Sequence, residues 1–159
     1  MTGPLDAGLL AEVSERVAAL RTRIAEAAAR AGRDPASVRL VGACKHQPLD
    51  RIAAAVCAGV YELGENYVQE AREKRPRLES LLAEHFAGRP APRPRWRLIG
   101  HLQRNKARHA VECFESIDSL DRADLALELD RRAAATGRRL DVCIQVNVSG
   151  EARKSGAEE

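Results

Sequence analysis

The sequence predicts an α/β fold built from parallel βα units, most simply a (β/α)8 barrel of the TIM type. Five short apolar segments alternate with helical segments along the 159 residues, and this alternation is typical of parallel strands joined by helices. No GxGxxG or GxxxxGK[ST] stretch follows any of these segments, so the usual nucleotide-binding fingerprints of a doubly wound sheet are missing. The short, even repeat therefore favours the barrel.

The clearest predicted element is the first helix, because apolar residues recur every three or four positions from Leu10 to Ile24. Gly32, Gly59 and Gly137 follow predicted helices, as terminating glycines do. Residues 88–94 contain three prolines and predict a loop. The strands are predicted at residues 38–44, 60–63, 95–100, 114–118 and 140–148, with later helices at 48–58, 66–83, 105–112 and 122–136.

The predicted elements stop short of a complete barrel, which has eight strands in about 250 residues. The sequence ends soon after its fifth predicted strand. We therefore expect one domain, residues 1–159, truncated after about the fifth strand and lacking the C-terminal third of the barrel. An open parallel sheet has unpaired edges, so self-association is also expected.

Composition and charge argue against several classes of partner. Hydrophobic residues make up 45% and charged residues 31% of the chain, as in ordinary globular proteins. The net charge of +3 is spread over alternating signs and aromatic residues are only 3%, so no nucleic-acid partner is expected. No export signal or membrane-length apolar run is recognisable, which predicts a cytoplasmic protein without a membrane partner. Four cysteines without paired spacing predict reduced thiols and no metal site.

Lys45 is the sharpest candidate for chemistry. It directly follows an apolar strand, and barrels place their chemistry where strands end. Only four of the 26 basic residues are lysines, so each one raises the question of whether a primary amine is required. We expect partial desolvation to lower the lysine pKa and supply a neutral amine for an aldehyde cofactor or a sugar aldehyde. A lysine that extends to solvent fits the position equally well.

Four other predicted strand ends carry polar or small residues. Asn66 fits a helix N-cap or a contact with a ligand ring. Gly100 fits a turn or the close approach of a ligand. His101 fits a base, a stacking partner or a surface histidine. The positions of Asp118 and Asn147 are consistent with two roles: support of Lys45 from neighbouring strands, or local N-capping and hydrogen bonding at the rim.

Four motifs stand in order along the chain, at residues 40–45 (LVGACK), 64–70 (GENYVQE), 96–106 (WRLIGHLQRNK) and 145–156 (QVNVSGEARKSG). Together they resemble the pyridoxal phosphate homeostasis protein family, single-domain relatives of the alanine racemase N-terminal barrel. The resemblance implies pyridoxal 5′-phosphate (PLP) held as a Schiff base on Lys45, with Asn66, Ile99 and Gly100 lining the pocket. It also implies a non-catalytic protein, monomeric at full length, that buffers PLP and delivers it to apoenzymes.

The chain departs from the family pattern at Cys44, where Ser or Thr is frequent, and at Arg97, where His is usual. The family's phosphate-binding segments lie beyond the fifth strand, so we expect this chain to bind PLP weakly or not at all. Three alternatives stay open: a PLP-dependent racemase, a class I aldolase-like barrel and an interaction fragment without a ligand. The racemase needs a tyrosine base from a separate domain, whereas the tyrosines here are Tyr61 and Tyr67.

Overall fold

The computed structural model describes residues 5–151 and 155–157, and these residues form an α/β fold. Single turns of 3-10 helix at Pro35–Ser37 and Arg104–Lys106 supplement the main elements. In chain order the main elements are α1 (Ala7–Arg30), β1 (Val41–Ala43), α2 (Leu49–Cys57), β2 (Glu62–Glu65), α3 (Val68–Phe86), β3 (Arg95–Leu98), α4 (Ala107–Cys113), β4 (Ser116–Leu120), α5 (Ala123–Ala135) and β5 (Asp141–Ile144).

The strands form a parallel five-stranded sheet in the order β1-β2-β3-β4-β5. Leu98 of β3 pairs with Ile117 of β4, and Ile117 pairs with Val142 of β5. Four of the five residues of β4 are buried, whereas every residue of β5 is exposed. The predicted α/β class and parallel sheet are therefore confirmed, while closure into an eight-stranded barrel stays a prediction.

Two compact units divide the chain, one containing residues 1–63 and 76–94 and the other residues 64–75 and 95–159. In the first unit α1 packs against α2. Its most buried side chains include Ile52, Ala53, Val56, Leu63, Leu78 and Leu82. The core of the second unit includes Trp96, Leu98, Val111, Phe114, Ile117 and Leu125. The single domain expected from the sequence stays a prediction.

The end of α2 explains why β2 starts later than predicted. Gly59 adopts a φ of 90°, and its N–H donates to the carbonyl of Val56 at 2.9 Å. The N–H of Val60 reaches back to the carbonyl of Ala55, also at 2.9 Å. These two bonds form a Schellman helix end, in which the residue after the glycine is typically apolar. Val60 therefore completes α2, and the strand begins at Glu62 instead of Val60.

The long first helix lies mostly at the surface. Asp6 caps it, since its Oδ1 accepts a hydrogen bond from the N–H of Leu9 at 2.7 Å. Of its 24 residues only Ala28 is buried. Across the described ranges of the chain, neither α1 nor any later helix combines the length and apolarity needed to cross a membrane.

Candidate functional site

Lys45 lies in a turn immediately beyond β1. The N–H of Gln47 donates to the carbonyl of Cys44 at 3.1 Å and closes the turn over Lys45 and His46. His46 adopts a φ of 55°, a left-handed conformation that few non-glycine residues take up unless their surroundings impose it. The backbone beside Lys45 is therefore held in a defined shape. We refer to residues 44–47 as the Lys45 turn.

The side chain of Lys45 is exposed, whereas Cys44 just before it is only 3% exposed. Within residues 5–151 and 155–157, Lys45 makes no hydrogen bond or ion pair. The partial desolvation expected for this lysine is therefore not seen. What the structure offers instead is an accessible primary amine on a fixed turn.

A second cluster is built around Glu65, the last residue of β2 and fully buried. Its Oε2 accepts from Lys74 Nζ at 2.8 Å, and its Oε1 accepts from the N–H of Asn66 at 2.7 Å. Its backbone carbonyl accepts from the N–H of Ile99 at 3.0 Å. Lys74 also donates to Glu70 Oε2 at 2.7 Å. We refer to Glu65, Asn66, Glu70, Lys74 and Ile99 as the Glu65 network.

The network holds Lys74 as an ammonium ion. Burial alone lowers the pKa of this amine, but the hydrogen bonds and charges of Glu65 and Glu70 outweigh burial and raise it above its usual value. An ammonium group has no free electron pair, so Lys74 is poorly suited to attack an aldehyde. Sequence reasoning missed this network. Its one local signal was the four-residue spacing of Glu70 and Lys74, typical of a helix-surface ion pair.

Gly100 meets Asn66 backbone to backbone. A Cβ at position 100 would overlap the Asn66 carbonyl oxygen and lie only 2.7 Å from the Asn66 Cα. The buried Ser119 donates from Oγ to the carbonyl of Gly100 at 2.6 Å. Glycine is thus required here by the neighbouring chain segment. Asn66, Ile99 and Gly100 are brought together, whereas Lys45 belongs to the other unit.

Asn66 is not the N-cap of the following helix, because α3 begins two residues later at Val68. Among the residues that the structure describes, its side chain makes no hydrogen bond. Asn66 and Gly100 instead face a recess of about 350 Å³. The other residues lining this recess are Tyr67, Val68, His101, Leu102, Gln103 and Lys106.

The side chains of Asp118 and Asn147 both form hydrogen bonds with other residues of the chain. Arg97 clamps Asp118 with Nε–Oδ2 and Nη2–Oδ1 distances of 2.8 and 2.9 Å. Ser116 Oγ also donates to Asp118 Oδ1 at 2.7 Å. Asn147 Nδ2 donates to the carbonyl of Glu151 at 3.0 Å. The local role predicted as one alternative for these side chains is the one observed.

His101 is exposed and lies close to both an acid and a hydroxyl group. Its Nδ1 lies 3.2 Å from Asp121 Oδ2 and 3.2 Å from Ser155 Oγ. In a nucleophilic triad the hydroxyl and the carboxylate contact opposite ring nitrogens. Here both contact the same nitrogen, so this cluster does not have the geometry of a serine nucleophile with its base.

The cysteines are free thiols. Burial raises the pKa of the Cys57 and Cys113 thiols, which makes these two poor nucleophiles. Within the described part of the chain, no group of three or more His, Cys, Asp or Glu side chains is arranged to hold a metal ion.

No protein-family model matches the chain. It is, however, similar to curated proteins named pyridoxal phosphate homeostasis protein. The one from Pseudomonas aeruginosa is 40% identical over 147 residues, covering 92% of this chain and 59% of that relative. The one from Escherichia coli K12 is 36% identical over 145 residues, covering 91% and 58%. The chain thus spans about three-fifths of the length of these relatives.

The chain is also similar to solved structures. A crystal structure of an unknown protein from Bifidobacterium adolescentis aligns with a TM-score of 0.83 at 37% identity, over 98% of this chain and 63% of that one. PipY of Synechococcus elongatus with PLP bound aligns with a TM-score of 0.72, also at 37% identity, over 91% and 57%. Residues 152–154 of the fourth sequence motif, including Lys154, lie outside the described residues. By sequence, the chain has homologues named pyridoxal phosphate homeostasis protein, and by fold it is similar to PLP-bound PipY, in agreement with the resemblance that its four motifs indicated.

Proposed function

We propose that this chain binds PLP through a Schiff base on Lys45 and serves PLP homeostasis without catalysing a reaction. The observation that carries the proposal is the accessible amine of Lys45 on its fixed turn. PLP supplies an aldehyde, and a primary amine condenses with an aldehyde to form a C=N bond with loss of water. The PLP-bound relative from S. elongatus supports the choice of ligand.

Asn66, Ile99 and Gly100 form the proposed wall of the cofactor pocket. Their backbones are joined by hydrogen bonds through Glu65 and by the close approach of Gly100 to Asn66. The Asn66 side-chain amide offers both a donor and an acceptor to a heteroaromatic ring. A rigid, preorganised wall suits a ligand whose ring has to be held in one orientation.

The parallel strands in sequential order support the further proposal that they are consecutive βα units of a (β/α)8 barrel. In such a barrel ligands bind where the strands end. Lys45 follows β1, Asn66 follows β2, and Ile99 and Gly100 follow β3.

The test is borohydride reduction after incubation with PLP, followed by peptide mass mapping. We expect a pyridoxyl adduct on Lys45 and none in Lys45→Arg, which keeps the charge but lacks a nucleophilic amine. Lys106→Arg is the matched control, since Lys106 lines the recess near Asn66 and should not be needed for the bond. An adduct that persists in Lys45→Arg, or labelling spread over several lysines, would contradict the proposal.

Two further assays separate this proposal from the enzyme alternatives. Alanine racemisation that depends on Lys45 would favour the racemase, and trapping of a sugar aldehyde in place of PLP would favour the aldolase-like barrel. Delivery of PLP to apoenzymes, a monomeric state and a cytoplasmic location stay predictions.

A further inference from the structure

We infer that Glu65 and Lys74 are positioning residues that hold the Asn66–Gly100 wall in place for the cofactor. The inference rests on the function proposed above and deepens it, because neither side chain is expected to touch the cofactor. Glu65 is fully buried, and the side chain of Lys74 is only 16% exposed.

Glu65 is placed to fix two wall residues at once. Its carboxylate accepts from the N–H of Asn66 at 2.7 Å, and its carbonyl accepts from the N–H of Ile99 at 3.0 Å. The first bond sets the direction in which the chain leaves β2, and the second sets the separation of this segment from β3. A displacement of Glu65 would therefore disturb both Asn66 and Ile99.

Lys74 makes the buried carboxylate tolerable. An isolated ionised carboxylate is costly to bury, and the cost falls when a cation is hydrogen-bonded to it. Lys74 donates to Glu65 at 2.8 Å, and Glu70 holds the same ammonium group at 2.7 Å from the solvent side of the pair. Apolar residues of the same volume often stabilise a protein as well as a buried ion pair does. A positional task therefore accounts for this pair better than stability does.

Gly100 leaves little room for Asn66 to move. Its backbone lies so close to Asn66 that not even a methyl group fits between them. Ser119 fixes the carbonyl of Gly100 from the other side at 2.6 Å. With Gly100 held, any movement of Asn66 caused by the loss of Glu65 must be directed away from β3.

The first part of the test uses the PLP-free chain and measures amide hydrogen exchange at Asn66 and Ile99 by NMR. Lys74→Met leaves Glu65 buried without a cation, so we expect exchange at Asn66 to rise about tenfold or more, as for the loss of one hydrogen bond to a charged group. In the double variant Glu65→Gln with Lys74→Met, the glutamine Oε1 still accepts from Asn66 and no buried charge is left unpaired. Glu70 also loses Lys74, but its side chain is 28% exposed and its carboxylate stays hydrated. Exchange should then return toward the wild-type rate.

Glu73→Gln is the matched control, because Glu73 is an exposed acid on the same helix whose carboxylate accepts from Gln69. If Lys74→Met does not fold, the double variant is compared with Glu65→Ala/Lys74→Met, which lacks the acceptor altogether. Equal exchange at Asn66 in these two double variants, or unchanged exchange in a folded Lys74→Met, overturns the inference.

The second part measures PLP affinity from the absorbance band of the Schiff base. We expect about tenfold weaker binding in Lys74→Met, a difference comparable to the loss of one such bond. Labelling should stay on Lys45, and both the double variant and Glu73→Gln should bind like the wild type. Weakened binding without faster exchange at Asn66 also overturns the inference. If the wild-type chain forms no adduct, the proposed function fails, while the exchange data still decide whether Glu65 and Lys74 position the wall.

Discussion

The Lys45 turn and the Glu65 network place a lysine in opposite settings. In the turn, Lys45 is exposed and no carboxylate among the described residues pairs with it. In the network, Lys74 is mostly buried and is held by two carboxylates that raise its pKa. Accessibility and pairing with carboxylates therefore both distinguish the amine that is proposed to react from the amine that is proposed to position the wall.

The free energy of unfolding should differ most between variants that carry the same substitution at the two lysines. Lys74→Met strands the buried Glu65 carboxylate and should lower the free energy of unfolding by about 3–5 kcal/mol. Lys45→Met removes only an exposed side chain and should change it by less than about 0.5 kcal/mol. Urea denaturation measures both. Similar losses at the two positions would show that Lys74 stabilises the fold no more than an exposed lysine does.

Gly100→Ala tests the tightness of the wall. The added methyl group meets the Asn66 backbone, which is less able to give way than a flexible side chain. We expect a loss of about 1–3 kcal/mol in unfolding free energy, as for overpacking of a filled space. Gly8→Ala is the control, because Gly8 lies exposed in α1 and its added methyl group meets only the side chain of Asp6, at 3.2 Å from Oδ1. Alanine in a helix is favoured over glycine by up to about 1 kcal/mol. A stable Gly100→Ala variant would show that the wall yields.

A smaller difference is expected between the wild type and Glu65→Gln/Lys74→Met in how the free energy of unfolding changes at alkaline pH. The pKa of Lys74 is raised on folding, so its stabilising contribution is fully present below the unfolded value, about 10.4. That contribution is lost as pH rises through the higher folded value. Unfolding free energies measured across this range should therefore fall more steeply for the wild type than for Glu65→Gln/Lys74→Met. Parallel curves would mean that the network does not hold the proton.

The order of the elements was predictable because it depends on local patterns. Apolar periodicity located α1, and Gly32, Gly59 and Gly137 marked helix ends that the structure confirms with positive φ values. The start of β2 was wrong by two residues. An apolar Val60 after a glycine fits a strand start as well as it fits a Schellman end, and only the hydrogen bonds of the folded chain separate the two.

The candidate site was predictable only in part, for a related reason. Lys45 stood out because lysine is rare in this chain and this one follows an apolar strand. Glu65 belonged to the second motif but did not stand out as a site residue, since its partner Lys74 lies nine residues away along the chain. Nothing local tells a buried acid from an exposed one. Likewise, the need for glycine at position 100 arises from Asn66, 34 positions earlier, and is visible only in three dimensions.

The exposed strand β5 has a practical consequence for handling the purified chain. Val142 and Ile144 stand on one face of this last strand and are 49% and 70% exposed. Apolar contacts between such surfaces weaken on cooling and strengthen in sulfate or phosphate. Association of the purified chain should therefore be weakest in the cold and in chloride buffers. Light scattering should rise more on warming in ammonium sulfate than in sodium chloride of equal ionic strength.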